Sequence, residues 1–302
     1  MASITFCDYI IAMDTKFVVI KNEHLEVTLC TLGASIYRII YDGKDMVLTP
    51  KDKNDFFKSN IYYGKTIGRV CGRIEAKPFL NINPQDNERG VSLHGGHDGL
   101  STKEFSVDAK TTFAEFHYLS KDGEAGYPGN LILRVRCEII DNSLIISFYA
   151  VTDKHCLLAL TNHTYFCLGE STNENLSLLM ENDKYIAVDD RLLPLRYENV
   201  PEKWNFTKGK FLSETGDIDN YFLFNKKRVE LSSKKYSLNI VTNFEGTQLF
   251  TDHWLDNVEV YSSDETLHRS IAIEPQDSQL HRKELLPNEH YERYIKYTFK
   301  KL

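Results

Sequence analysis

Between Leu131 and Ile139 every second residue is apolar: Leu131, Leu133, Val135, Cys137 and Ile139 fall on one side, Arg134, Arg136 and Glu138 on the other. That is a strand's period, because successive side chains leave a pleated backbone on opposite faces. Asp141-Asn142-Ser143 supplies turn chemistry, and Leu144-Ile-Ile-Ser-Phe-Tyr-Ala-Val151 follows it, so the two runs are predicted to pair as an antiparallel hairpin. Further strands are predicted at Leu25–Leu29, Thr111–Tyr118, Tyr236–Val241, Asn257–Tyr261 and Tyr291–Phe299. Helical signal is confined to short turns near Asp55–Ser59 and Ser101–Glu104, with no long segment of 3.6-residue period. Strands at short spacing without intervening helices predict an all-β fold, a large antiparallel β-sandwich with a few short helices.

Length alone leaves the domain count open, since 302 residues would suit two average domains. No Pro/Gly/Ser-rich linker, low-complexity run or clear repeat divides the chain, and residues 1–302 are read as a single domain. The 17 Phe and 17 Tyr, against 2 Trp and 4 Met, fit a strand-rich core. A net charge of −7 repels phosphate backbones, so nucleic acid is not an expected partner. No apolar run approaches the roughly 18 residues of a membrane span, and the N-terminal stretch ending at Asp8 lacks a signal peptide's apolar segment. A cytoplasmic protein with no membrane partner is expected, as monomer or homodimer. Six cysteines (Cys7, Cys30, Cys71, Cys137, Cys156, Cys167) show no C-x-x-C spacing and mostly sit in apolar stretches, which predicts buried free thiols.

Polar clusters interrupt the strand pattern at Gly68-Arg-Val-Cys-Gly-Arg-Ile74, Ser92-Leu-His-Gly-Gly96, Gly126-Tyr-Pro-Gly-Asn-Leu131, Thr161-Asn-His-Thr-Tyr-Phe166, Asp217-Ile-Asp-Asn-Tyr-Phe222 and Ile273-Glu-Pro-Gln276. His94 precedes Gly95-Gly96, where a strand gives way to a tight turn and backbone can approach a ligand closely. His163 stands between Asn162 and Thr164; for each histidine a structural and a catalytic role remain open. His94-x-x-His97 is a conceivable metal pair, but no acidic or Cys partner follows at ligand spacing, and no metal is expected. Glu274 ends the apolar run Ile271-Ala-Ile273, and a carboxylate there must be hydrogen-bonded, ion-paired or functional, because burying it unpaired costs several kcal/mol. Asp219 and Asn220 suit a turn as well as a site. Histidines, carboxylates, an amide and arginines interleaved with Tyr and Phe suit a sugar, whose hydroxyls take polar contacts and whose C–H surfaces lie on aromatic faces.

At these clusters the sequence resembles the aldose 1-epimerase (galactose mutarotase) family, in the family's order over nearly the whole chain. Leu25-Glu-Val-Thr-Leu-Cys-Thr-Leu-Gly-Ala34 is similar to its first strands, Thr161-Asn-His-Thr-Tyr-Phe166 to its most specific motif, and Leu93-His-Gly-Gly96, Gly126-Tyr-Pro-Gly-Asn130 and Glu274-Pro-Gln276 to further ones. The resemblance implies a galactose mutarotase-like supersandwich and an isomerase that interconverts the α and β anomers of a free aldohexose such as glucose or galactose, without cofactor or metal. It implies Glu274 as general base, His163 as general acid and His94 as a second active-site histidine near the ring oxygen. Arg73, Gly72, Tyr165, Asp219 and Gln248 match positions that bind or orient the sugar. One base and one acid on opposite sides of C1 are what ring opening needs, with Glu274 ionised and His163 protonated near neutral pH. Gly72 stands where the family usually has Asn, which implies a lost amide, and Asp277-Ser-Gln-Leu280 replaces a proline-containing continuation. Phe105 stands where a tryptophan is expected, and Pro287-Asn-Glu289 replaces a usual Pro-Gly-Glu. Three rival readings are an epimerase of a phosphorylated aldose, using Arg69, Arg73 and Lys65 as a cationic cluster, a non-catalytic sugar-binding module, and a glycoside hydrolase using Glu274 and Asp219.

Overall fold

The predicted hairpin forms: Leu131–Ile140 pairs antiparallel with Ser143–Thr152, placing Leu131 opposite Thr152 and Ile140 opposite Ser143. A computed structural model describes residues 15–252, 258–261 and 268–302 of the chain. The hairpin lies within a nine-stranded sheet, between the central strand Tyr291–Lys301 on one side and Phe113–Ser120 on the other. Strands Leu25–Cys30 and Tyr236–Thr242 occupy the predicted places, as do a helix at Lys53–Lys58 and a 3-10 turn at Leu100–Thr102. The prediction at Asn257–Tyr261 is corrected: Asn257 lies outside the described residues, and Val260 makes only an isolated bridge to Pro50.

Three sheets surround the main core: the nine-stranded sheet, a four-stranded sheet that includes Leu25–Cys30 and Ser35–Tyr41, and a six-stranded sheet built round Ile271–Gln276. Every named strand pair is antiparallel. Phe148, Val135 and Ile295 of the first sheet, Val27 and Ile39 of the second and Ile271 and Ile273 of the third belong to one buried cluster. In the hairpin, burial alternates residue by residue as the sequence does, since one face meets this core and the other does not. Cys30, Cys71, Cys137, Cys156 and Cys167 are buried free thiols, and burial pushes Cys30 and Cys137 up to about 12, which keeps them protonated and unreactive. Cys7 lies outside the described residues. Among the described residues no helix is long and apolar enough to cross a membrane.

Candidate active site

The floor of the site is set by sheet register. Residues directly opposite one another on antiparallel strands share a face. Gln248 opposes both Glu274 and Tyr221, while Phe250 opposes both Ala272 and Asp219, and Tyr165 pairs with Ala272. Glu274, Gln248, Tyr221, Asp219, Phe250 and Tyr165 therefore project from one face of the six-stranded sheet, while Ile271 and Ile273 project from the other into the main core. Strand Ile271–Gln276 is buried at every residue, so it has two inner faces, one apolar and one polar.

Two histidines lean over this floor. His163 follows the two-residue strand Thr161–Asn162, and its backbone N–H donates to the Lys65 carbonyl at 2.9 Å. The Thr161 hydroxyl donates to the Pro275 carbonyl at 2.7 Å and the Asn162 amide to the Gly64 carbonyl at 2.7 Å, which fixes the segment beside Glu274. His94 ends strand Val91–Leu93 with φ of 55°, and Gly95 follows at φ of 90°. A Cβ on Gly95 would lie 2.1 Å from the Gly68 carbonyl oxygen, so only glycine permits this turn. The His94 backbone N–H donates to the Gly72 carbonyl at 3.0 Å, and the Gly72 N–H donates to His94 Nδ1 at 3.2 Å. An acceptor at Nδ1 assigns the ring proton to Nε2, making His94 a neutral donor.

The resulting cavity is about 360 Å³ and is lined by all eight sequence-predicted site residues: Glu274, His163, His94, Arg73, Gly72, Tyr165, Asp219 and Gln248. His163 Nε2 lies 3.2 Å from Glu274 Oε1, both side chains being almost wholly buried. Glu274 Oε2 and His163 Nδ1 are buried without a hydrogen-bond partner. Burial pushes the Glu274 carboxyl well above its usual range, with the Asp219 carboxylate adding to this and Arg73 opposing it. Burial likewise pushes His163 down to about 3 and His94 well below 6.5. The expected ionised Glu274 and protonated His163 thus differ from the distribution that burial favours here, which is a neutral carboxylic acid facing a neutral imidazole. Both arrangements hold one proton and differ only in which side of a 3.2 Å contact carries it.

Beside this pair runs a polar chain, which Gln248 joins as the cross-strand neighbour of Glu274. Arg73 Nε donates to Glu88 Oε2 at 2.7 Å, Arg73 Nη1 lies 3.5 Å from Asp219 Oδ2, and Gln248 Nε2 donates to Asp219 Oδ1 at 2.6 Å. The Tyr62 ring packs edge-on against His94 at 4.6 Å and tilted over His163 at 5.6 Å, burying the aromatic side of the pair. Tyr62, Glu88 and Gln279 escaped the sequence reading. Their neighbours carry no alternation, and only the adjacency of Gln279 to Glu274-Pro-Gln276 could have pointed to it. Gly72 carries no side chain, and the Gln279 amide lies in the space a Cβ there would enter, 2.8 Å from its position.

Arg69 serves the fold. Its guanidinium donates to the Ser120 hydroxyl and to the carbonyls of Pro128, Ser120, Lys121 and Gly129, and it lies away from the cavity lining. Lys65 and the exposed His97 border a neighbouring cavity, so His94 and His97 do not form the metal pair their spacing allowed. His94, His163 and Glu274 do bring three ligand-type atoms within 4.8 Å of one another, a set that could also hold a metal.

Residues 16–298 match the family model for aldose 1-epimerase. The chain belongs to the aldose 1-epimerase family. Human galactose mutarotase is 29% identical over 269 residues, covering 78% of this chain and 77% of that protein. The aldose 1-epimerase of Escherichia coli is 31% identical over 193 residues, 58% of this chain and 54% of that protein. Among solved structures, an aldose epimerase homologue from C. elegans matches with a TM-score of 0.87 at 30% identity, covering 95% of this chain and 99% of that one. The galactose 1-epimerase of Lactobacillus acidophilus matches with a TM-score of 0.84 at 26% identity, over 95% and 99%. This aldose 1-epimerase family member is an isomerase-type enzyme with the all-β mutarotase fold.

Proposed function

We propose that the protein interconverts the α and β anomers of a free aldohexose such as glucose or galactose, with Glu274 as base and His163 as acid. The observation that carries this reading is the buried 3.2 Å contact between His163 Nε2 and Glu274 Oε1, in a cavity also lined by Arg73, Asp219 and Gln248. A sugar hydroxyl that donates to the unpartnered Glu274 Oε2 stabilises the carboxylate, and together with Arg73 it draws the shared proton onto His163. Glu274 then takes the proton from the anomeric hydroxyl while His163 gives its proton to the ring oxygen. The C1–O5 bond breaks and an aldehyde forms at C1. Rotation about C1–C2 presents the other carbonyl face; O5 returns its proton to His163 as it attacks C1, and Glu274 reprotonates the new hydroxyl. Each positioned transfer contributes roughly 10²–10⁴-fold. His94, held as an Nε2 donor, supplies a hydrogen bond near the ring oxygen, and Arg73, Asp219 and Gln248 hold the hydroxyls.

The wall of Tyr62, Tyr165 and Phe250 offers apolar faces to sugar C–H groups, a second use for the aromatic excess. A phosphorylated substrate fits less well, since of Arg69, Arg73 and Lys65 only Arg73 lines the cavity. Asp219 has one carboxylate oxygen bonded by Gln248 and the other beside Arg73, which suits an orienting anion more than a hydrolase nucleophile. Polarimetry on freshly dissolved α-D-glucose and α-D-galactose tests the reading. Wild type is expected to accelerate mutarotation, equally so after dialysis against a chelator, and Glu274→Gln and His163→Asn to abolish most of the acceleration. A wild type that leaves the spontaneous rate unchanged for every aldose tried overturns it, and loss of activity on chelation overturns its metal-free form.

A further inference from the structure

We propose that Gln279 is a substrate-binding residue of this pocket, an amide brought in from the segment after Ile271–Gln276 to meet two neighbouring hydroxyls of the bound aldose. The inference rests on the proposed function and adds a residue to it. Gly72 has φ of +69°, and a Cβ built on it would lie 2.8 Å from Gln279 Nε2 and 2.9 Å from Cδ. The amide therefore occupies the space that a side chain at position 72 would take, and a Cβ there would push it aside.

Its approach is fixed by the backbone. Arg282 Nη1 donates to the Gln279 carbonyl at 2.6 Å and Nη2 to the Arg73 carbonyl at 2.8 Å, so one guanidinium clips the Gln279 segment to the strand that carries Arg73. Its orientation is fixed by charge. Asp219 is a carboxylate and only accepts, so Gln248 must turn Nε2 toward it and Oε1 away. That oxygen accepts from Gln279 Nε2 at 3.2 Å, which orients the second amide in turn. Gln279 lines the cavity at 8% exposure, and no protein hydrogen bond to its Oε1 occurs among the described residues. Its remaining N–H and its Oε1 thus form a donor and an acceptor side by side, the match for vicinal hydroxyls.

Steady-state mutarotation by the full-length chain, with aldose concentration varied, tests this. Gln279→Ala and the volume-conserving Gln279→Met are expected to raise KM about 5- to 10-fold, as loss of a neutral hydrogen bond does, with kcat within about two-fold of wild type. Gly72→Asn alone leaves two amides competing for one space and is expected to raise KM. Gly72→Asn/Gln279→Ala is expected to return KM toward wild type, because asparagine tolerates the left-handed backbone and puts an amide back into the same space. A purely structural role for Gln279 predicts neither the KM-specific loss nor this recovery. An active wild type with unchanged KM in Gln279→Met, or a double variant no better than Gln279→Ala, overturns the inference and leaves the proposed function standing. A wild type inactive on every aldose overturns both.

Discussion

The hairpin of Leu131–Ile140 and Ser143–Thr152 and the strand Ile271–Gln276 obey the same antiparallel geometry but divide their faces differently. In the hairpin one face enters the core and the other is wet, so polarity alternates and the strands can be read from the sequence. In Ile271–Gln276 both faces are buried, with Ile271 and Ile273 against the main core and Glu274 against the cavity. The hairpin's buried face is held by apolar contact, whereas the polar face of Ile271–Gln276 carries a carboxylate that burial disfavours in ionised form. The candidate site thus lies where the sheet is least favourable to a charge, while the apolar face of the same strand packs into the main core.

The largest expected effect separates the two regions. Glu274→Gln is expected to lower kcat by about 10²–10⁴-fold while the denaturation midpoint stays level or rises, because a buried carboxyl is replaced by a neutral amide of equal size. Phe148→Ala in the hairpin should do the reverse, costing about 3–5 kcal/mol in chemical denaturation with the activity of the folded fraction retained. If Glu274→Gln unfolds the protein, or Phe148→Ala leaves stability untouched, the contrast fails.

A smaller effect concerns Lys65, which is 5% exposed with Nζ 5.4 Å from the centre of the Phe56 ring. Burial pushes its ammonium down from 10.5 to about 8. Between those values the unfolded chain holds a proton that the folded chain has released, so this group makes stability rise with pH from about 8 to 10.5. Lys65→Met should stabilise the protein at pH 7 by about 1–3 kcal/mol and remove that rise, as read from urea midpoints across the range.

The smallest expected change is an absence of titration. Since burial lowers His163 to about 3 and raises Glu274, the one-proton state of the pair extends to the acid side of an ordinary histidine. The profile of kcat/KM is expected to stay level from about pH 7 to pH 5, where an exposed histidine near 6.5 would show its limb. An acidic limb centred near 6.5 would show instead that the pair is more solvated in solution than its geometry implies.

Legibility followed burial. Strands with one wet face, such as Leu25–Cys30 and Tyr291–Lys301, were readable from alternation within a few residues of their ends. The eight candidate residues came from the family resemblance, and the fold gathers them around one cavity. Tyr62, Glu88 and Gln279 were not legible, because nothing local marks a residue whose significance is its distance from another part of the chain. The proton distribution in the site was not legible either: free histidine and glutamate values describe groups in water, and burial pushes these two the other way.

The sequence by itself determined the all-β class, the antiparallel hairpin, the free thiols and the chemical types at the site, since each follows from local periodicity, spacing or a quoted motif. Only the tertiary structure decided that Glu274 and His163 lie 3.2 Å apart, that Arg69 braces loops away from the cavity, and that Gln279 fills the space beside Gly72. Periodicity reports which face of a strand meets the core. The His163–Glu274 contact and the close approach of Gln279 to Gly72 depend on placement between segments far apart in the chain, which the register of the six-stranded sheet and the clasp of Arg282 set together.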